Sequence, residues 1–577
     1  MHPRSSRPRR RPPVPAVALA LIAGLGLTTG CGGGEAREDA DTTPRLAVFI
    51  AVDQLGSDVL DQYEPYLQGG LGRLLHEGAR FENGRVDHAI TVSHPGHVTL
   101  STGLDPARHG IVDAAFYEGE AGARRFTDAV ADSTERLLGL DGDAAGDGAS
   151  PRHILADGLW EWAGASGARR VAVGTGRHSS LLYARTPGDV YWFDPRLPGY
   201  LTSTFYRDSL PAWVREFNAD SLPVFLADTA WTFSAPDSLR ALARADSAAW
   251  ESGGTHPTFP HRFHDEMPAR YRSNPRAVVS WFSNTPMLDE VTLGLARSAV
   301  RARKLGQRDE TDLLVVVLSQ IDDIGHWYGP WSLEQLDNLW RLDTELGAFF
   351  DFLDETVGRG RWVLALSADH SAPAAPEARR ERGEKAERVT GGQVDEALAA
   401  ADSAAEAAGS DPAARSAAVA AAVERYPWVA DAMTPKELLG AGAPQDSFIR
   451  LYRHSYSENR VPRYPVFSFE SGRSIVAREG VAVRLQPWAM LDLDVVVHGS
   501  PYLYDRRVPI IFYGDGVTAG CRDAPATTKD VAPTLGALAG FRVPQGLDGH
   551  ALTVASPGSA PALPPASPAS STRCGPR

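Results

Sequence analysis

The run Ile90-Thr91-Val92-Ser93-His94-Pro95-Gly96-His97, closed by Ser101-Thr102-Gly103, holds the hydroxyl best placed for nucleophilic chemistry. Val98 to Ser101 reads as the first turns of a helix, which puts Ser93 at its mouth. Backbone N–H groups and the helix dipole favour an anion there, as an attack on a phosphate or sulfate ester needs. A Ser at a helix start can equally be a plain N-cap. Asp and His residues far along the chain separate the two readings, because each follows an apolar run. Asp53 follows Leu46 to Val52, and Asp322 and His326 follow Leu313 to Leu318. Asp369 and His370 follow Trp362 to Leu366, and His498 follows Val495-Val496-Val497. One Asp after a strand is commonly a cap; four strand ends carrying only Asp and His point to metal ligation. Three Asp and three His without thiolates suit Zn²⁺ or a similar divalent ion in open coordination. Six ligands suit two ions with three each. Two ions about 4 Å apart can bridge an anionic ester that would otherwise repel a nucleophile. A Ser stays protonated at neutral pH unless something activates it, a task the metal would take from a histidine base.

The elements that must position these residues alternate. Leu46 to Val52 is unbroken apolar sequence, as expected of a strand buried on both faces of a parallel sheet. Arg170 to Val173, Leu313 to Leu318, Trp362 to Leu366 and Val508 to Tyr513 read the same way, with helical patterns between them, notably Ile154 to Ala163 and Leu333 to Thr356. The expectation is an α/β fold: a doubly wound, mostly parallel sheet with helices on both faces and sites beyond the carboxyl ends of the strands. Two regions break the alternation and read as inserted caps, near 195–285 and near 375–470. The first is rich in Pro, Trp, Phe and Tyr. The second contains an Ala-rich stretch, Thr390 to Ala422, that reads as a helical pair packing weakly by itself.

Composition narrows the class. The net charge of −14 over 577 residues argues against a nucleic-acid partner. Three Cys exclude a disulfide scaffold or a Cys-rich metal site; Cys521 and Cys574 could pair or stay free. Residues 1–31 combine Arg4, Arg7, Arg9, Arg10 and Arg11 with an apolar run from Val14 to Leu27, and end at Cys31. This reads as an export signal of lipoprotein type, with lipidation of Cys31. Residues 32–44 read as a flexible tether, 45–555 as the catalytic domain and 556–577 as a disordered tail. The chain is expected to be exported, periplasmic or anchored to the outer membrane, touching a membrane only through that lipid.

As an ordered set, the motifs resemble the alkaline phosphatase superfamily in its type I phosphodiesterase/nucleotide pyrophosphatase branch, most closely its phosphate-irrepressible bacterial alkaline phosphatases. The motifs are Val52-Asp53-Gln54, Thr91-Val92-Ser93 with Gly96-His97, Asp322 with His326 and Gly329-Pro330, Ala368-Asp369-His370, His498-Gly499-Ser500-Pro501-Tyr502, and Asp530-Val531-Ala532-Pro533-Thr534-Leu535. The resemblance implies that Asp53, Asp369 and His370 hold one zinc together with the nucleophile, and that Asp322, His326 and His498 hold the other. Ser93 aligns with the nucleophile, where most of the branch has Thr. Thr91 is the runner-up hydroxyl, and Asp323 is the neighbour most easily confused with Asp322. His97 and His109 fall at family positions that look structural; His88, His94 and His178 read as surface or supporting residues.

Two departures stand out. Ala114 replaces an Asn that contacts phosphate in the monoesterase group. Thr175-Gly176-Arg177 stands where that group has Lys-x-Arg, so Arg177 matches and Thr175 does not. The implied activity is hydrolysis of small-molecule phosphate monoesters through a phosphoseryl intermediate. The alternatives are diester or pyrophosphate cleavage, a member that only binds phosphate ligands, and a sulfatase, whose related motif carries Arg where this chain has His97.

Overall fold

The computed structural model describes residues 43–555 apart from 121–122, 140–141, 145–147, 198, 228 and 441–445. Eleven described strands form one sheet: β1 (Leu46–Val52), β2 (Ala79–Arg85), β3 (Leu137–Gly139), β4 (Gly142–Ala144), β5 (Arg170–Gly174), β6 (Asp189–Phe193), β7 (Tyr200–Ser203), β8 (Asp312–Leu318), β9 (Trp362–Ser367), β10 (Ile510–Gly514) and β11 (Gly520–Thr527). Their order across the sheet is β11-β2-β10-β9-β1-β8-β5-β6-β7-β3-β4. The centre, β9-β1-β8-β5-β6, is parallel throughout. Antiparallel strands flank it: β10 against β9 and β2 on one side, β7 and its neighbours on the other. The sheet is thus parallel at its core, as the apolar runs indicate, with antiparallel pairings beside it and a further parallel pair, β2 with β11, at one edge, which they do not.

β1 shows why those runs are unbroken. All seven of its residues are buried. Leu46, Val48, Ile50 and Val52 join one apolar cluster, and Ala47, Phe49 and Ala51 join another. Successive side chains point to opposite faces, and both faces are covered. On the second face lies α1 (Ser93–Thr102), contributing Val98 and Leu100. On the first lie α2 (Met287–Arg303), with Leu293 and Leu295, and α4 (Leu333–Leu353), with Leu339 and Leu346, while α3 (Gln320–Tyr328) follows β8 directly.

Register sets the line along which the site forms. Val52 pairs with Leu318, Ala51 with both Val317 and Ser367, and Gly174 with Val317. Four parallel strands therefore end side by side, and the residues after them emerge together.

Two expectations need correction. Val495-Val496-Val497 is not a strand. The three valines are buried in a separate apolar cluster, against Val394, Ala397, Leu398, Val419, Val423 and Trp428. A short apolar run buried by helices has the same pattern as a buried strand. Those helices are α5 (Gly391–Ala407) and α6 (Pro412–Val423), so the Ala-rich pair is part of a core rather than a weakly packed appendage. Thr390 caps α5 by accepting from Gln393 N–H, and Asp411 caps α6 by accepting from Ala414 N–H. The aromatic stretch from 195 to 285 forms short helices and a two-strand ladder, Ala230–Trp231 with His261–Arg262. Its Phe217, Trp231, Phe263 and Trp281 join the cluster on the first face of β1.

Candidate active site and metal centre

Ser93 is the first residue of α1, and Val92 is the N-cap. No side chain caps this helix. The Ser93 hydroxyl instead lies 3.3 Å from Nε2 of His370. Gly96, one turn on, lets the helix approach this closely: a Cβ there would stand 2.7 Å from the Asp369 carbonyl oxygen.

Around His370 Nε2 three oxygens converge. Asp53 Oδ1 and Asp369 Oδ2 are each 3.3 Å away, the same distance as Ser93 Oγ. In a second group, Nε2 of His326 is 3.4 Å and Nε2 of His498 is 3.5 Å from Asp322 Oδ1. The expected six side chains are thus brought together as two triads, Asp53/Asp369/His370 and Asp322/His326/His498. The triads adjoin, since the rings of His370 and His498 stack with centroids 3.7 Å apart.

These spacings fit a cation. Tetrahedral zinc with bonds of about 2.0–2.1 Å places its ligand atoms about 3.3–3.4 Å from one another, close to the 3.3 Å separations around His370 Nε2 and the 3.4 and 3.5 Å separations around Asp322 Oδ1. Asp53 Oδ1 and Asp369 Oδ2 are buried and accept no hydrogen bond among the described residues. A buried polar atom left unpaired is costly, and a cation would satisfy both. The electrostatics agree. Burial raises the Asp369 carboxyl well above the usual carboxylate range, and the Asp53 charge adds to it. Burial opposes ionisation of Asp53 too, yet His370 and His97 hold it well below that range. Two such carboxyls ionise together only against positive charge. In the second triad burial is outweighed again: His326 draws Asp322 down, and Asp322 raises His326 to about 10.

Hydrogen bonds fix which ring nitrogen faces the centre. His326 Nδ1–H donates to the Val496 carbonyl at 2.7 Å, and His498 Nδ1–H to the Thr91 carbonyl at 2.8 Å. Each turns Nε2 toward the centre, the nitrogen a metal ligand presents once its proton is displaced. The coil 495–497 therefore both carries His498 and orients His326; Val495 N–H also donates to the His326 carbonyl at 3.0 Å.

The remaining residues fall as follows. Thr91 donates its hydroxyl to the Ser500 carbonyl at 2.9 Å and is buried, so it supports His498 rather than competing with Ser93. Asp323 lies outside both triads; it lines a cavity of about 330 Å³ with Thr175, Asn284 and Asp194. The Thr175 hydroxyl is buried and has no hydrogen-bond partner among the described residues. Ala114 is half-buried, offers no polar side-chain atom, and follows Asp113, which accepts its N–H at 2.6 Å. Arg177 opens the short helix Arg177–Ser180; its side chain and that of His178 lie outside the described residues. His109 accepts the Ile111 N–H and meets the Thr99 hydroxyl, a local structural role. His88 is fully buried.

Two residues at the site carry more than their sequence suggests. His97 is buried with Nε2 3.4 Å from Asp53 Oδ2 and 3.6 Å from Asp369 Oδ2, while Nδ1 lies 3.1 Å from the Tyr183 hydroxyl. It touches both carboxylates of one triad. Gln54 touches both triads. Only its place directly after Asp53 in the motif could have drawn attention to it.

Residues 47–441 match the family model described as type I phosphodiesterase / nucleotide pyrophosphatase. The chain belongs to that family. Among its relatives in this group, the alkaline phosphatase PafA of Elizabethkingia meningoseptica is 27% identical over 556 residues, covering 90% of this chain and 96% of that protein. The alkaline phosphatase PhoK of a Sphingomonas species is 29% identical, covering 93% and 96%. The alkaline phosphatase PhoV of Synechococcus elongatus is 32% identical over 342 residues, covering 58% and 60%. The crystal structure of wild-type PafA superposes with a TM-score of 0.77 at 25% identity, over 89% of this chain and 99% of that one. The type I phosphodiesterase resemblance and the alkaline phosphatase-like sheet expected from the motifs are thus both found.

Proposed function

We propose that this chain hydrolyses phosphate monoesters at a two-zinc centre, with Ser93 as the nucleophile. The observation that carries the reading is the ring of Asp53, Asp369 and Ser93 oxygens, each 3.3 Å from His370 Nε2. Its relatives' names as alkaline phosphatases support the monoester choice. Zinc fits the nitrogen and oxygen donors and their spacing, and Mn²⁺ or Fe²⁺ could take the same set. Asp53, Asp369 and His370 would hold one ion, and Asp322, His326 and His498 the other. Bound there, divalent ions lower the pKa of a nearby hydroxyl and take up charge on ester oxygens.

The chain's own residues do the rest. Ser93 Oγ attacks phosphorus, forming a phosphoseryl ester as the bond to the leaving alcohol breaks. Water then cleaves that ester, releasing inorganic phosphate and restoring the hydroxyl. The dipole of α1 favours negative charge at its first residue throughout. His97 holds the Asp53 and Asp369 carboxylates in place. Arg177 steadies a non-bridging oxygen of the transferred group. Ala114 and Thr175 supply no charge, so this binding is weaker than a full Asn/Lys/Arg set would give.

The catalytic domain spans 45–555, the 195–285 region contacts the alcohol portion of the substrate, and residues 1–31 direct export with lipidation at Cys31. Those first residues, Cys574 and the 556–577 tail lie outside the described residues. No helix among the described residues is long and apolar enough to cross a membrane.

A second reading, diester cleavage, is favoured by one feature: uncharged Thr175 leaves room for an esterified oxygen where Lys would demand a dianion. Initial rates on a phenyl phosphate monoester and the matching diester, for the wild type and Ser93→Ala, test both. Faster monoester turnover that vanishes in the variant is expected. A diester preference overturns the substrate choice, and full activity in Ser93→Ala overturns the nucleophile.

A further inference from the structure

Gln54 follows a candidate ligand and adopts a left-handed backbone, with φ of 63°. Non-glycine residues rarely do so unless the surroundings hold them there. The surroundings here are the two triads. The Gln54 backbone N–H donates to Asp369 Oδ1 at 3.2 Å, in the first triad. Its side-chain Nε2 donates to Asp322 Oδ1, in the second. A carboxylate only accepts, so the amide nitrogen must face it. The residue is buried, and its Oε1 is unpaired among the described residues.

Gly325 completes the arrangement. It sits on α3 between Asp322 and His326, and a Cβ there would stand 2.2 Å from Gln54 Oε1. Absence of a side chain at 325 is what lets the amide lie along the helix and reach Asp322.

We infer that Gln54 is a positioning residue that aims the Asp322 carboxylate at the second ion while its backbone braces Asp369 at the first. One side chain thereby ties the second cage to the strand end that carries the first. The two bonds differ in kind, and that difference makes the inference specific. A side-chain substitution removes the bond to Asp322 and leaves the backbone bond to Asp369 intact. Partners that orient a metal ligand typically contribute about 10–100-fold in metal affinity.

This rests on the two-metal reading, and the test separates the two. Metal-stripped full-length protein is titrated with Zn²⁺ against a competing chelator, and bound zinc per chain is counted. Gln54→Met keeps the length and loses the donor. In wild type two ions bind. In Gln54→Met one ion is expected to keep its affinity and the other to bind about 10–100-fold more weakly. Site-resolved controls sharpen this: the loss should persist in an Asp369→Ala background and vanish in an Asp322→Ala background. Gly325→Ala, which displaces the amide by its new Cβ, should reproduce the selective loss even where Gln54→Met folds poorly. Equal weakening of both ions, or no weakening, overturns the assignment of Gln54. A wild type that takes up fewer than two ions overturns the two-metal reading itself.

Discussion

His261 offers a sharp test of the electrostatics beneath the site. It lies on the short ladder of the 195–285 region, almost fully buried. Nδ1 is 2.7 Å from Glu266 and Nε2 is 3.3 Å from Glu334, the second residue of α4. The Tyr328 hydroxyl and Asp246 also face it, the rings of Trp231 and Phe259 pack on it, and Glu251, paired with Arg244, acts on the same Glu334. Burial alone would depress the imidazole, but the two carboxylates raise it to about 9. The unfolded chain has a value near 6.5. A folded-state value above the unfolded one means stability that is full below about pH 6.5 and lost as pH rises through about 9. Holding the imidazolium to about pH 9 instead of about 6.5 corresponds to roughly 3 kcal/mol. The group is buried, so solvent screening removes little of this. Glu251, raised to about 7 by burial, also loses its contribution as pH rises, so the wild-type curve alone does not isolate His261. The difference from His261→Gln does. Urea midpoints measured at fixed zinc from about pH 6 to about pH 10 should show the variant several kcal/mol less stable at the acid end, with the gap closing toward the alkaline end. Parallel curves would refute the reasoning. Tyr328 ends α3, which carries Asp322 and His326, so the same variant should also release zinc more readily than the wild type near neutral pH, with the difference shrinking toward the alkaline end.

Other outcomes follow from the site. Ser93→Ala should abolish turnover and the phosphoenzyme seen by acid-quenched labelling, while Ser93→Thr should retain both. Installing a donor by Ala114→Asn should raise kcat/KM for a monoester about tenfold to a hundredfold, the effect of one charge-assisted hydrogen bond of roughly 1.5–3 kcal/mol; an unchanged value would mean that position 114 does not face the phosphate. Stripping divalent ions should abolish activity and lower the thermal midpoint, and zinc at about a thousand times its Kd should restore roughly 4 kcal/mol for each ion bound. His97→Phe keeps the ring volume but leaves the Tyr183 hydroxyl and the two Asp carboxylates short of a partner, so the stripped form should lose about 2–5 kcal/mol by denaturant titration.

Much of this site could be read from sequence because parallel strands in register end on one line. Asp53, Asp322 and Asp369 each follow an unbroken apolar run, and such runs mark strands covered on both faces. Where that signal fails, so did the reading. Val495-Val496-Val497 has a strand's composition, but helices bury it, and period alone cannot tell the two apart. β2, Ala79–Arg85, is too polar to stand out, since its buried Arg80 is paired with Asp61, Glu64 and Glu82. β6, Asp189–Phe193, is short and falls just before the aromatic stretch. Gln54 is silent in sequence for a different reason: an amide carries no chemical signature, and a left-handed backbone at a non-glycine residue shows only in the folded chain.

The order in which the chain is made gives the loop bearing His498 a further meaning. Asp53, Ser93, Asp322, His326, Asp369 and His370 have all emerged from the ribosome long before His498 does. A nascent chain that has not reached His498 therefore carries the residues of one trio and two of the other, but neither β10 nor β11, which pair with β9 and β2. Under the proposed mechanism, a product stopped short of that loop would lack a donor of the second trio as well as two strands of the sheet, and would turn nothing over.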